Sequence, residues 1–216
     1  MQRNHFHGKI HNVYFLWGRG KTTIANILRA RNDVFVYRTD EARDRLMLIA
    51  DPDKQPFMCR DFEAEYGVKS FWELPREVIS DREVHFLQEM TPMVIEELSS
   101  LAKKYKTIIC EGDIDYLQII DTFDQIVYLQ NCSTRFDWFN RPDHSNLDYI
   151  RNRADLDDAQ KQALIDQAYA SVGNNEGILP EYVVEHNIKV IAWDDNVMPE
   201  QTATEVEQYF GFKNNI

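Results

Sequence analysis

The sequence predicts an α/β fold, a three-layer sandwich in which a five-stranded parallel sheet lies between helices. Three observations support this prediction. Short segments rich in β-branched and aromatic residues alternate along the chain with segments of helical periodicity. Four of the apolar segments have no polar face, which is typical of parallel strands covered on both sides: residues 33–38, 107–110, 124–129 and 188–193. Glycines or carboxylates follow several of these segments, at the sheet edge where such folds bind ligands.

The composition indicates a globular protein with an acidic surface. Of the 216 residues, 44% are hydrophobic and 28% are charged, which excludes a disordered or collagen-like chain. The formal net charge of −12 repels phosphodiester backbones, so we expect no nucleic-acid partner. No apolar run approaches about 18 residues, and the N-terminal segment has no apolar centre, so we expect no membrane span and a cytoplasmic protein. The three cysteines are widely spaced and indicate neither a disulfide framework nor a thiolate metal site.

We expect one domain over residues 1–216, and its first half contains two strand–helix pairs. The strands are predicted over about 10–16 and 33–39, and the helices that follow them over 22–31 and 40–50. Proline-rich residues then predict an irregular insert with one short helix, over 51–79.

A long helix is predicted over 81–104, because Ser80–Glu83 has the form of a capping box and an apolar stripe follows it. Pro92 is expected to kink this helix. Two further strands, with a short helix between them, are predicted over 107–112 and 124–130.

Residues 133–175 are polar with helical periodicity, and we interpret them as a helical, lid-like region. A fifth strand is predicted over 188–193. The last helix is expected to start near Pro199, which suits a first helical position, and to end before Gly211.

The junction after the first strand, WGRGKTT, has the composition of a phosphate-binding turn. Glycines let backbone N–H groups turn towards a phosphate, and a helix N-terminus adds positive potential. In the pattern G-x-x-x-x-G-K-[ST], Lys21 reaches the outer phosphates and the Thr22 hydroxyl binds magnesium. The match is incomplete, because Phe15 occupies the position of the first glycine.

Two explanations of the missing glycine remain open. Phe15 replaces the glycine in a loop of normal length, or the strand runs on through Leu16 and the loop has lost about three residues. We favour the second, because VYFL is a better strand end than IHNVY. The alternative to a phosphate site is a plain glycine turn with a capping threonine and a surface lysine, Lys21.

Charged residues follow the second and third strands. Asp40 can accept a proton from a substrate hydroxyl, or it can cap the next helix. Arg43 can meet an anionic substrate or remain a solvated helix charge. Glu111 and Asp113 can organise a magnesium shell or bind substrate, and the alternative is a plain acidic turn.

Four arginines follow the fourth strand, at positions 135, 141, 151 and 153. Arginines on a mobile helical flap can close over a triphosphate and neutralise developing charge. The alternative is a pair of solvated helices whose arginines form salt bridges with nearby aspartates.

The stretches YFLWGRGKTTIANIL, VYRTDEARDRLMLIADPDKQPFM and IICEGDIDYL, with the run from LQNCSTRF to Gly173, resemble the P-loop kinase superfamily. The resemblance is to its small-molecule and nucleoside-type kinases, and more specifically to bacterial AAA/2-phosphoglycerate-kinase-like proteins. It covers most of the chain. It implies a sheet of the P-loop NTPase type, ATP and Mg²⁺ as cofactors, and phosphoryl transfer to a small hydroxyl-bearing substrate.

Carried over by position, the resemblance implies roles for Lys21, Thr22, Asp40, Glu111 and Arg141, and the roles of the other candidates are expected from the residues themselves. Catalysis would use Lys21, Asp40 and Arg141, and magnesium would be held by Thr22 and Glu111. Substrate contacts would come from Asp40, Arg43 and Asp113. Nucleotide contacts would come from Gly18, Arg19, Gly20, Lys21, Thr22, Thr23 and Arg135.

The predicted function is therefore that of an ATP- and magnesium-dependent small-molecule kinase. The chain departs from the family at the glycine loop, and this motivates an alternative: a relative that binds a nucleotide, a metabolite or a protein partner without turnover. A polynucleotide 5′-kinase is disfavoured by the net charge of −12. Nothing in the sequence indicates an oligomeric state.

Overall fold

A computed structural model describes residues 8–132, 146–172 and 179–212. Within these residues one sheet is formed by β1 (Val13–Gly18), β2 (Phe35–Arg38), β3 (Ile108–Glu111), β4 (Gln125–Asn131) and β5 (Lys189–Trp193). The strand order is β2-β3-β1-β4-β5, and every neighbouring pair is parallel. The predicted α/β class with a five-stranded parallel sheet is confirmed.

The helices of the described residues connect these strands in chain order. They are α1 (Lys21–Arg31), α2 (Thr39–Met47), α3 (Pro56–Cys59), α4 (Phe62–Tyr66), α5 (Arg76–Leu101), α6 (Tyr116–Ile119), α7 (Asn146–Arg151), α8 (Asp158–Val172), α9 (Glu181–Glu185) and α10 (Pro199–Phe210), with a 3₁₀ turn at Phe71–Glu73. None of them is long and apolar enough to cross a membrane.

Different helices cover the two faces of the sheet, which makes the protein the predicted three-layer sandwich. Along β1, Val13 and Phe15 contribute to a core that α2, α5 and α6 complete. Leu16 contributes to the core on the opposite face, which α1 and α10 complete. Side chains alternate between the faces of a strand, so two apolar cores require strands that are apolar throughout.

The start of α5 corrects the prediction for the long helix. The helix begins at Arg76 and its N-cap residue is Pro75, so Ser80–Glu83 lies inside it and the predicted capping box is wrong. The extra turn forms because Ile79 is buried in a small core with Phe62, and burial of an apolar side chain outweighs a local capping signal.

The insert contains more helix than predicted, because two short helices and a 3₁₀ turn precede α5. Polar side chains fix their first turns: the Asp61 carboxylate accepts from the Ala64 N–H, and the Ser70 hydroxyl accepts from the Trp72 N–H. The short helix α9 was also missed, because five residues give no periodic pattern.

The lid-like region is described in part. Its described residues form α7 and α8, in agreement with the helical prediction. Residues 133–145, and with them Arg135 and Arg141, lie outside the described residues, as do residues 173–178.

The end of β1 is crowded against β4. Gly18 has a φ of 89°, and a β-carbon at this position would lie 2.2 Å from the Leu129 carbonyl oxygen. Both the positive φ and the close approach of the two strands therefore require glycine here.

We expect Gly18→Ala to lower the free energy of unfolding by about 2–4 kcal/mol, since it adds left-handed strain to a backbone clash. The matched control is Gly67→Ala, where φ is 66° and no atom lies within 4 Å of the added carbon. This control should lose only about 1 kcal/mol. Urea denaturation followed by circular dichroism measures both losses, and equal losses would contradict the crowding argument.

Candidate functional site

The turn between β1 and α1 contains only Arg19 and Gly20. Because β1 continues through Leu16 to Gly18, the explanation by a shortened loop is confirmed. The other explanation, a loop of normal length that starts at Phe15, is wrong. Pairing with β3 on one side and β4 on the other keeps β1 in the sheet. Only two residues then remain for the chain to turn into the helix.

Neighbouring strands hold the backbone of this turn. The Arg19 N–H donates to the Leu129 carbonyl oxygen at 3.2 Å, and the Arg19 carbonyl accepts from the indole Nε1 of Trp193 at 3.0 Å. The Trp193 ring also packs against Gly20, where a β-carbon would lie 3.2 Å from it. Among the described residues no side chain caps the N-terminus of α1, and this terminus follows β1 at the carboxyl edge of the sheet.

The Lys21 side chain is mostly buried among carboxylates. It is 18% exposed, and its Nζ lies 3.6 Å from an Asp113 carboxylate oxygen. Burial alone would lower the pKa of Lys21, but the charges of Asp113, Asp40 and Glu111 raise it by more, so the pKa of Lys21 lies above its ordinary value. The alternative of a surface lysine is therefore wrong, and the ammonium stays charged.

Glu111 is the most deeply buried carboxylate of the site, with 2% of its side chain exposed. The Thr22 hydroxyl donates to its Oε2 at 3.1 Å, and the Nε of Arg38 lies 3.3 Å from its Oε1. Burial raises the pKa of Glu111 although Lys21, Thr22 and Arg38 each favour its ionised form. The Thr22 hydroxyl binds Glu111 rather than capping α1. The alternative of a plain acidic turn does not describe Glu111, because this residue is the buried end of β3.

Sequence reasoning missed Arg38, which connects three elements of the site. Besides Glu111, its guanidinium contacts the Asn26 side-chain oxygen at 2.6 Å and the Glu41 carboxylate at 3.2 Å. Arg38 is the last residue of β2 and pairs in register with Glu111, the last residue of β3. The rule that ligand-edge residues lie at strand ends would have found it, had it been applied to the last strand residue as well as to the next one.

Asp40 is the second residue of α2, and the N-cap position is occupied by Arg38. The capping alternative for Asp40 is therefore wrong, because the helix starts earlier than predicted. Its charge acts on both Lys21 and Glu111. Next to it, the Thr39 hydroxyl is buried and has no hydrogen-bond partner among the described residues. It lies against Gly112, where a β-carbon would come within 1.8 Å of the hydroxyl oxygen.

The structure thus brings together five of the predicted residues and leaves others apart. The residues that come together are Lys21, Thr22, Asp40, Glu111 and Asp113. Arg43 binds Glu83 on α5 instead, and Thr23 is exposed on α1. Arg151 pairs with Asp148, and Arg153 with Asp155 and Glu73, so the salt-bridge alternative describes these two arginines.

An aromatic cluster adjoins the site and was not predicted. The Trp17 ring, near the end of β1, stacks on Tyr182 with ring centroids 4.7 Å apart, and Tyr182 stacks on Tyr116 at 3.8 Å. The Asp113 charge contributes to a raised pKa of Tyr182, after burial and the neighbouring tyrosines. The cluster therefore borders the Lys21–Asp113 ion pair.

The Thr22 and Glu111 oxygens are a donor set that fits magnesium. Mg²⁺ prefers hard oxygen ligands and usually takes only one or two from the protein, with water and substrate phosphates completing its shell. Among the described residues, no group of three or more acidic, histidine or cysteine side chains is arranged to hold a metal by itself. Any magnesium here would therefore need water or the oxygens of a bound ligand to complete its shell.

Comparisons with known proteins yield only distant structural likenesses. No protein-family model matches the chain, and no curated protein matches it in sequence. Dephospho-CoA kinase from Campylobacter jejuni is similar with a TM-score of 0.45 and 13% identity, over 93% of this chain and 97% of that chain. A sugar kinase from a Janibacter species is similar with a TM-score of 0.38 and 13% identity, over 96% of each chain. Both TM-scores are low, and neither likeness supports a statement about what this chain binds.

We expect Glu111→Gln to gain stability relative to the native protein as the pH rises from about 4 to about 8. The raised pKa of Glu111 means that its contribution to stability is complete below its unfolded value of 4.5 and is lost as the pH rises through the folded value. Glutamine has no proton to lose, so the difference in unfolding free energy moves towards the variant. Denaturant unfolding of both proteins across this pH range measures the difference.

Glu65→Gln provides a control of opposite sign. The hydrogen bond with Arg60 lowers the pKa of Glu65 in the folded protein. The stability that ionised Glu65 contributes is therefore present above pH 4.5 and is lost as the pH falls. A pH-independent difference for Glu111→Gln would show that Glu111 is not held in a protonation-sensitive site.

Proposed function

We propose that this protein is an ATP- and magnesium-dependent phosphotransferase that acts on a small hydroxyl-bearing metabolite. The observation that carries the proposal is the 3.1 Å contact between the Thr22 hydroxyl and the buried Glu111 carboxylate, beside the Lys21 ammonium. Thr22 and Glu111 are 89 residues apart in the chain. A hydroxyl, a carboxylate and an ammonium at an uncapped helix N-terminus are the groups that phosphoryl transfer requires.

The first role of the site is to bind phosphate. The Lys21 ammonium and the N–H groups at the start of α1 offer positive charge to the outer phosphates of ATP. Lys21 remains protonated because the surrounding carboxylates raise its pKa. Asp113 is 61% exposed and lies 3.6 Å from Lys21, so this carboxylate is a loosely held counter-ion that an incoming phosphate would displace.

The second role is to position the reacting groups. Thr22 and Glu111 would hold magnesium, which when bound supplies positive charge against the charge that develops on the transferred phosphoryl group. Arg38 fixes one Glu111 oxygen and leaves the Thr22-bound oxygen directed to the α1 terminus. Asp40, at the start of α2, would orient the acceptor hydroxyl and accept its proton. The closing roles of Arg135 and Arg141 stay predictions.

A second candidate function is binding of a nucleotide or another phosphorylated metabolite without turnover. The observation that favours it is the short turn, in which the Arg19 N–H already donates to Leu129. Only the α1 terminus and Lys21 would then hold the phosphates, with fewer backbone N–H groups than a full glycine loop supplies.

We expect the native protein to bind Mg-ATP, and Lys21→Ala to bind it at least about tenfold more weakly, because the ammonium contributes a charge-assisted hydrogen bond. Isothermal titration calorimetry measures both affinities. The matched control is Lys54→Ala, which removes an exposed lysine paired only with Asp51 among the described residues. The control should bind as the native protein does. No binding by the native protein would contradict the phosphotransferase and would leave the second candidate function only with ligands other than ATP.

Turnover separates the two candidates. Incubation with γ-labelled ATP and a panel of small hydroxyl compounds should label one of them, and Thr22→Val should abolish the labelling because it removes the hydroxyl that contacts Glu111. Tight Mg-ATP binding with no labelled product across the panel would favour the binding protein over the phosphotransferase.

A further inference from the structure

The outer edge of the sheet, along β2, adjoins an apolar groove that lies outside the site described above. We propose that this edge and its groove form the interface between two copies of the chain, in which β2 of one copy pairs antiparallel with β2 of the other about a twofold axis. The proposal does not depend on the phosphotransferase function.

The strand β2 is at the edge of the sheet, and among the described strands its only neighbour is β3. On that inner side, the Phe35 N–H donates to the Thr107 carbonyl oxygen at 3.0 Å. Successive residues of a strand direct their main-chain groups to opposite sides, so Phe35 and Tyr37 pair with β3 and the N–H and C=O of Val36 point to the open side. An open edge of this kind is a template for pairing with another strand.

A groove of about 720 Å³ lies beside this edge, between α2 and the C-terminal half of α5. We call it the β2 groove. Several of its lining side chains are apolar and come from all three elements: Phe35, Leu46, Ile49, Met93 and Leu101. An exposed apolar concavity with a polar rim is typical of a surface that another protein covers.

Exposed apolar side chains concentrate next to the β2 groove. Met47, Leu48 and Ile49, which we call the apolar knob, are consecutive at the end of α2, and Leu48 and Ile49 are 87% and 66% exposed. Tyr105 is exposed as well, and its ring stacks on that of Phe35 with centroids 4.2 Å apart. Isolated exposed apolar residues are ordinary, whereas a run of them beside a groove indicates an interface.

The charges along β2 favour a second copy in the antiparallel orientation. The segment DVFVYR has Asp33 before its apolar residues and Arg38 after them. Antiparallel pairing brings the Arg38 end of each strand to the Asp33 end of the other, whereas parallel pairing would place the two aspartates side by side. The rim of the groove carries both signs as well, in the ion pairs Arg38–Glu41 and Arg45–Glu97. A copy of the chain matches such a rim better than a partner of one charge sign does.

A twofold contact uses the same surface on both copies, so each copy presents its β2 groove and its apolar knob to the other. Burial of Leu48 and Ile49 against the second copy removes apolar surface from water, which is the main driving force for association. Pairing through Val36 joins two five-stranded sheets into one and leaves neither β2 edge open.

The test measures self-association of the whole chain. Sedimentation equilibrium over about 1–300 μM, at about 0.15 M salt, should show a monomer–dimer equilibrium. Leu48→Glu and Ile49→Glu should each raise the dissociation constant at least about tenfold, because each places a carboxylate in an apolar contact. Asp33→Lys should also raise it, since both ends of β2 then carry positive charge. The matched control is Val184→Glu, which makes the same change of charge at an exposed apolar residue of α9 and should dimerise as the native chain does.

A native chain that is monomeric at every concentration would overturn the proposal. A dissociation constant that is unchanged in Leu48→Glu and Ile49→Glu, unchanged in Asp33→Lys, or raised equally in Val184→Glu would also overturn it. Circular dichroism verifies that each variant is folded, which we expect because all four side chains are exposed. A labelled peptide of residues 32–39 probes the other occupant of the edge: its binding to a chain that stays monomeric would assign the edge to an extended peptide of another protein instead of a second copy.

Discussion

The site depends on the balance of charge around the Lys21 ammonium. A buried ammonium is stable only if negative groups compensate for the water it has lost, and here the end of β3 and the start of α2 supply them. Glu111 has the complementary requirement, which Thr22 and Arg38 meet. Removing any one partner would weaken this compensation for Lys21 or Glu111, so the first turns of α1 and α2 are tied to the end of β3.

This balance requires the parallel sheet with its register. Leu16 on β1 and Arg38 on β2 both pair with Glu111 on β3. The strands β2 and β3 end at this level, and β1 continues for two more residues to Gly18. A shift of one residue in either pairing would move the Glu111 side chain to the other face of the sheet, into an apolar core instead of towards the ligand edge. The β1–α1 turn has only two residues, so α1 starts at Lys21 close to the sheet edge, where the charges of Asp113, Asp40 and Glu111 act on the ammonium.

Much of this architecture could be predicted from local sequence. Strands buried on both faces are recognisable as apolar segments, and the VYFL segment correctly indicated that β1 continues through Leu16. The positions of Lys21, Thr22 and Glu111 at the ligand edge could be predicted because they lie at or shortly after the ends of predicted strands. Contacts between helices were not predictable, since the pairing of Arg43 on α2 with Glu83 on α5 depends on how these two helices pack. The capping signal at Ser80 failed because tertiary burial extended the helix beyond it.

The central claim is that attraction to the carboxylates outweighs the loss of hydration at Lys21. Nuclear magnetic resonance of selectively labelled lysine measures the ionisation of its ammonium directly, with Lys21→Arg identifying the signal. We predict a pKa of Lys21 above the ordinary 10.5, and a lower value in Asp113→Asn, which removes the carboxylate nearest to the ammonium. A pKa below 10.5 in the native protein would mean that burial dominates, and it would contradict the charge balance on which the site rests.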